Sequence, residues 1–158
     1  LEYRSIPMLR TIWTTAPPIY AALPADARNV LLELPLVRPD ISIEPTYMYF
    51  STFHWNALVN GYSGFSPPSY QELLDSLDHF PDEPAIGVVR RRGVTHIIVH
   101  GAFYRLGDYQ ELIGRMDESA DLEFVAEAPW HRGDTRLYRL RPADEQRPAQ
   151  LETRSRVR

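Results

Sequence analysis

The sequence predicts an α/β protein: a mixed sheet with helices packed on it, ending in a C-terminal β-hairpin, as a two-layer or three-layer sandwich. Three observations predict it. "NVLLELPL" from Asn29 and "VTHIIVH" ending at His100 are short, nearly continuous apolar runs, as strands covered on both faces are. Leu73, Leu74, Leu77 and Phe80, and later Tyr109, Leu112, Ile113 and Met116, recur at helical spacing. "LEFVAEAPW" and "TRLYRL" flank "HRGD" in the manner of a hairpin. Helices alternating with strands build a sheet covered by helices.

Taken in order, residues 1–16 have no clear period. "TAPPIYAALPADARN" reads as a short helix. Pro17 and Pro18 suit its first turn, where an N–H would be unpaired anyway. Ile19, Tyr20 and Leu23 form its apolar side, and Pro24 ends it. In the strand that follows, Glu33 is the exception. A carboxylate there is either at an exposed strand end or paired, and Pro35 marks the exit from the ladder. Residues 38–46, with Pro39 and Pro45, read as a connector.

"YMYFSTFHWNALVNGYSGFSPPSY", residues 47–70, gathers eight aromatics into 24 residues. Its first half reads as a strand, with Tyr47, Tyr49, Ser51, Phe53 and Trp55 on one face and Met48, Phe50, Thr52, His54 and Asn56 on the other. "NGYSGFSPP" reads as a turn-rich loop, where Gly61 and Gly64 are free to take positive φ. Ser69 and Glu72 form an S-x-x-E capping box. After Pro81 and Pro84 a second helix turns Ile86 and Val89 inward. Arg90, Arg91 and Arg92 complement its last carbonyls, and Gly93 follows as the C′ residue. Asp108 caps a third helix. Residues 1–141 make one domain, and the polar, aperiodic segment 142–158 is expected to be disordered.

The 158 residues are enough to bury roughly 68–70% of the unfolded surface. The chain has no cysteine, which excludes disulfides and thiolate metal sites. A net charge of -4 and the lack of a sustained basic face give no support to a nucleic-acid partner. No apolar run reaches the ~20 residues that span a bilayer, and no secretory signal pattern is visible. The start at Leu1, without Met, suggests an excised piece or a processed product.

The catalytic patterns fail one by one. "GYSGF" puts Phe65 where a G-x-S-x-G elbow needs glycine. His96 and His100 on a strand lie ~13 Å apart, too far to share an ion. Asp75, Asp78, Asp82 and Glu83 fall on helix surfaces or ends rather than in facing pairs. Glu33 is expected to hydrogen-bond His54, His96 or Tyr49 within the core. No catalytic residue, metal ligand or cofactor is assigned. Contact with a ligand or partner is assigned to His54, Trp55, Asn60, Tyr62 and Ser63, with Gly61 and Gly64 shaping the loop. Tyr and Trp faces there could also stack on sugar rings, which makes a free-standing carbohydrate-binding module the alternative.

"LLELPL" (31–36), the 47–70 segment and "RRGVTHIIVH" (91–100) resemble the C-terminal soluble region of large bacterial polytopic membrane proteins akin to C-type glycosyltransferases. The likeness spans residues 17–140, and the polar tail has no counterpart in it. Such enzymes use a polyprenyl-phosphate sugar, and their catalytic acid lies on a loop between early membrane helices. The resemblance therefore implies a non-catalytic domain on the extracytoplasmic face of the bacterial membrane. Its implied partners are the membrane-embedded part of the same protein and, beyond that, a glycan or lipid-linked sugar.

Overall fold

A computed structural model describes residues 15–25, 28–36, 43–61 and 67–145. Its elements are β1 (Val30–Leu34), α1 (Glu44–His54), β2 (Ala57–Leu58), α2 (Pro68–Ser76), α3 (Glu83–Arg91), β3 (His96–His100), α4 (Leu106–Glu118), β4 (Leu122–Trp130) and β5 (Gly133–Leu140). Pro18–Ala22 is a 3-10 turn rather than an α-helix. The strands form one mixed sheet in the order β2-β1-β3-β5-β4. β1 runs parallel to β2 and β3, and β5 runs antiparallel to β3 and β4.

Strand register sorts the side chains onto two faces. Leu32, Leu34, Ile97, Val99, Tyr138 and Leu140 point to one. There they meet Leu73 of α2, Ile86 and Val89 of α3, and Leu112, Ile113 and Met116 of α4 in a single buried cluster. Leu31, Glu33, Ile98, His100 and Leu137 point to the other, under the Pro18–Ala22 turn and α1. Helices cover both faces, so the sandwich has three layers.

Asp82, which the sequence reading did not single out as a cap, caps α3 by accepting the Ala85 N–H at 2.9 Å, and the expected C′ glycine holds. Gly93 follows with φ +72°, a backbone that favours glycine. The hairpin forms, although β5 begins at Gly133 and only His131 and Arg132 connect the strands. Gly133 and Gly101 let two backbones touch beside His100. A Cβ on Gly133 would lie 2.7 Å from Ala102 N, and one on Gly101 would lie 2.8 Å from Asp134 O.

The largest correction concerns residues 47–54, which belong to helix α1 and not to a strand. Pro45 sits in its first turn, where proline starts a helix well. Tyr47, Phe50 and His54 therefore share the inner side at i, i+3 and i+7, while Met48, Tyr49 and Phe53 face out. Two caps are corrected as well. α2 begins at Pro68 after Pro67, so Ser69 lies inside the helix and makes no cap. Its supposed partner Glu72 instead binds Arg91, the last residue of α3, and Arg92 just past it, at 2.8 and 3.1 Å. α4 begins after Arg105, which leaves Asp108 in the first turn, where a carboxylate suits the helix dipole.

The sheet edges differ. β2 has two residues, after which Val59 N–H bonds Leu31 O at 2.9 Å. Asn60 then continues the ladder with its side chain. Its Oδ1 accepts the Glu33 N–H and its Nδ2 donates to Glu33 O, both at 2.7 Å. β4 forms the other edge over nine residues, with a register irregularity between Phe124 and Ala126 and a proline at 129. Ala143–Glu145 makes a 3-10 turn within the segment expected to be disordered, and Glu145 accepts from Arg139 at 3.0 Å.

Candidate functional site

The carboxyl ends of the parallel strands β1 and β3 carry a buried polar cluster on the α1 side. Crevices at such ends are where open α/β sheets commonly bind ligands. Glu33, near the end of β1, and His100, the last residue of β3, are both fully buried. Glu33 Oε2 accepts from the Tyr20 hydroxyl at 2.8 Å and lies 2.7 Å from His100 Nε2. Glu33 Oε1 lies 4.0 Å from His54 Nε2, in the last turn of α1. His54 Nδ1 accepts the Asn56 N–H at 3.1 Å, so a neutral His54 carries its proton on Nε2, toward Glu33. Glu33 is paired, as the sequence reading has it, but through Tyr20 and His100; the expected hydrogen bond to His54 is not made, since Glu33 Oε1 and His54 Nε2 stand 4.0 Å apart and neither atom has a hydrogen-bond partner. His96 and Tyr49 are not its partners: His96 Nδ1 is 3.0 Å from Thr95 Oγ1, and Tyr49 faces out.

Aromatic rings wall the cluster in. Tyr47 stacks on His100 with centroids 5.2 Å apart and donates its hydroxyl to Pro35 O at 3.1 Å. Phe50, Phe103 and Trp130 bring their centroids to 6.3, 5.6 and 5.9 Å of His100. Burial, and then the Glu33 charge, hold the Tyr20 and Tyr47 hydroxyls far above their ordinary range, so both remain donors. Burial also lowers the His54 pKa, with the Glu33 charge pulling the other way. Glu33 Oε2 is held by Tyr20 and His100, while Oε1, facing His54, is buried without a hydrogen-bond partner. The cluster ties β1 to β3, to α1 and to the Pro18–Ala22 turn.

Among the described residues no three His, Asp or Glu side chains converge as metal ligands would. On the opposite face a cleft of about 280 Å³ opens beside Leu34, Leu36, Phe80, Tyr104 and Leu112. Its charged residues Asp78, Asp108, Glu111 and Arg115 are all exposed.

The outer face of α1 is the second unusual feature. Met48, Tyr49 and Phe53 are exposed there, the two rings edge to face with centroids 5.3 Å apart. Between Pro45 and Asn56 there is no Asp, Glu, Lys or Arg, and His54 is turned inward. The hydroxyls of Ser51 and Thr52 donate to Met48 O and Tyr49 O, at 2.7 and 2.8 Å. α1 ends at Trp55, whose backbone is left-handed with φ 55°, while its N–H bonds Ser51 O. A bulky residue in that conformation costs roughly 1–2 kcal/mol, and the indole gains no burial in return, being exposed.

The residues singled out from sequence thus separate. His54 belongs to the buried cluster and Trp55 to the exposed surface. Asn60 is buried with its amide committed to the Glu33 backbone. Gly61 is exposed, and the left-handed backbone in this region falls on Trp55 instead. Tyr62, Ser63 and Gly64 lie outside the described residues. Tyr20 and His100, and the surface role of Met48, Tyr49 and Phe53, were missed. The signal for the last three was present as Pro45 followed by a charge-free run of helix length. Comparison of the chain with known proteins finds no matching family model, no matching curated protein and no matching solved structure.

Proposed function

We propose that this chain is a non-catalytic domain of a membrane glycosyltransferase-like protein. In this reading it lies on the extracytoplasmic side of a bacterial membrane and packs on the membrane-embedded part of the same polypeptide. The sequence resemblance motivates the reading. The observation that carries it is α1, a helix apolar on both sides. One side is occupied by the protein's own core, and a helix apolar all round is normally covered all round. The buried Glu33–His100 cluster is enclosed, with Glu33 Oε2 bonded to Tyr20 and close to His100 while Glu33 Oε1, His54 Nε2 and His100 Nδ1 make no hydrogen bond, and this reading assigns it no reaction.

A carbohydrate-binding role has less support. Trp55 could stack on a sugar ring, but sugars also need hydrogen bonds. Asn60 is turned to the sheet, and the Ser51 and Thr52 hydroxyls bond the helix itself.

The test is a photo-crosslinking residue at position 53 in the protein expressed with its upstream reading frame. Cross-links to membrane-embedded segments of the same polypeptide support the reading. An upstream frame with no membrane spans overturns it, and so do cross-links confined to other proteins.

A further inference from the structure

The residues that follow β2 carry a chemical modification site. The chain has three asparagines, and Asn60 alone is followed by glycine; Asn29 precedes Val30 and Asn56 precedes Ala57. The side-chain amide of an asparagine is open to attack by the backbone nitrogen of the next residue. Glycine, with no Cβ, shields that nitrogen least. We propose that Asn60–Gly61 is a deamidation site that the fold keeps closed, and that its reaction loosens the β2 edge of the sheet irreversibly. Nothing in it depends on the function proposed above.

The step balances within the chain and water. The deprotonated Gly61 nitrogen bonds Asn60 Cγ, the Cγ–Nδ2 bond breaks, and Nδ2 takes a proton from solvent and leaves as ammonia. Water then adds to the five-membered imide and opens it to aspartate or isoaspartate. No oxidant, reductant or cofactor takes part.

In the folded chain both reacting groups are held by other partners. Asn60 is 4% exposed, and its Oδ1 and Nδ2 bond the N–H and O of Glu33, each at 2.7 Å. A side chain clasped through both atoms cannot turn Cγ toward the next nitrogen without giving up these bonds. The Gly61 N–H bonds the Tyr70 hydroxyl, which donates to Glu44 Oε1 at 3.1 Å. Meanwhile no surrounding feature demands glycine at 61. A Cβ there would meet nothing within 4 Å, and its φ lies outside the left-handed region. The reactive pair is therefore not the by-product of a strained turn.

The consequence follows from the same two bonds. Aspartate at position 60 has no N–H for Glu33 O and turns a carboxylate oxygen toward it, where a buried, unpaired charge is costly. Isoaspartate adds a carbon to the main chain and shifts the side chain out of register. Glu33 is also the residue whose carboxylate accepts from Tyr20 and lies 2.7 Å from His100. Loosening its backbone reaches the buried cluster. Each opening of the edge exposes the pair to a reaction after which the edge no longer closes as before.

The test incubates the 158-residue chain at mildly alkaline pH, folded and in concentrated urea. Mass and isoaspartate content of the peptide containing Asn60 are followed with time. Deamidation at Asn60 should run about tenfold or more faster in urea, since the folded rate is scaled by the fraction of time the edge is open. In urea it should also outpace Asn29 and Asn56. Gly61→Ala should keep the fold and slow the urea reaction to the rate of Asn56, which alanine follows already. Deamidated chain returned to buffer should show a lowered urea midpoint, as should Asn60→Asp.

Equal rates in the folded and unfolded chain overturn the closure by folding. A urea rate at Asn60 no faster than at Asn56, or unchanged by Gly61→Ala, overturns the chemistry. A deamidated chain with an unaltered midpoint overturns the irreversible loosening. If Asn60→Asp does not fold at all, the rates measured on the unaltered chain still decide.

Discussion

The two faces of the sheet solve the same problem with different chemistry. On the α2, α3 and α4 side, Leu32, Leu34, Ile97 and Val99 meet leucine, isoleucine, valine and methionine in a dry hydrocarbon layer. On the α1 side, the same strands offer Glu33, His96 and His100, together with Leu31 and Ile98, to a cover made largely of rings. The first face is held by area removed from water. The second depends on a carboxylate keeping its donors, and so on geometry and protonation. Of the two covers, only the ring-built one has an uncharged outer side. The helix with the uncharged outer side is thus anchored on the polar face of the sheet.

Breaking the polar face should give the largest single effect. His100→Leu removes a close partner of buried Glu33 and should cost about 3–5 kcal/mol, read from the urea midpoint. Glu33→Leu with His100→Leu should recover part of that loss, since no buried charge remains, so the two changes are expected to be strongly non-additive. An additive pair would show that the cluster contributes nothing as a unit. On the dry face, Ile97→Ala should cost about 2–5 kcal/mol through lost contacts and a cavity, with no change in pH dependence.

Protonation separates the faces next. His54 and His96 both belong to the polar side, and burial lowers the pKa of each, helped at His96 by the Arg139 charge. Their folded-state pKa values lie below the unfolded value of about 6.5, so the unfolded chain binds more protons as pH falls. Stability is therefore full above pH ~6.5 and declines through the window beneath it, by at most about 1.4 kcal/mol per pH unit for each histidine. Midpoints at neutral and mildly acid pH test this, and His54→Gln should flatten the profile. An acid-stabilised protein would contradict the sign. The smallest effect is expected outside both faces. Trp55→Gly should raise stability by about 0.5–1 kcal/mol, because relief of the left-handed strain exceeds the extra freedom of glycine in the unfolded chain.

What was legible in the sequence follows the same division. β1 and β3 announce themselves because a strand covered on both faces is apolar at nearly every position. α3 and α4 do so because each has a charged side that marks the helical period. α1 lacks such a side. With Tyr, Met and Phe facing outward as well as inward, periodicity has no contrast to report, and aromatic β-propensity prevailed over the Pro45 start signal. The local signal at Ser69 and Glu72 misled for a related reason. Glu72 had stronger partners in Arg91 and Arg92, about 20 residues away and brought near only by helix packing. The pairing of Glu33 could be foreseen from its apolar run. Its bond to His100 could not, since it depends on the register of two strands 67 residues apart.

The sheet edges bear on how this protein can associate. At one edge the pairing of β2 with β1 stops after two residues, and the Asn60 amide takes the Glu33 backbone groups that β2 leaves free. At the other, β4 interrupts its ladder at Phe124 and Ala126, includes Pro129, and sets Glu123 and Glu127 along its length. These are features that keep a flat strand from templating another. Growth by strand addition is thus discouraged along the β4 edge, and past the two residues of β2 the Asn60 side chain, not a further strand, takes the free backbone groups of Glu33.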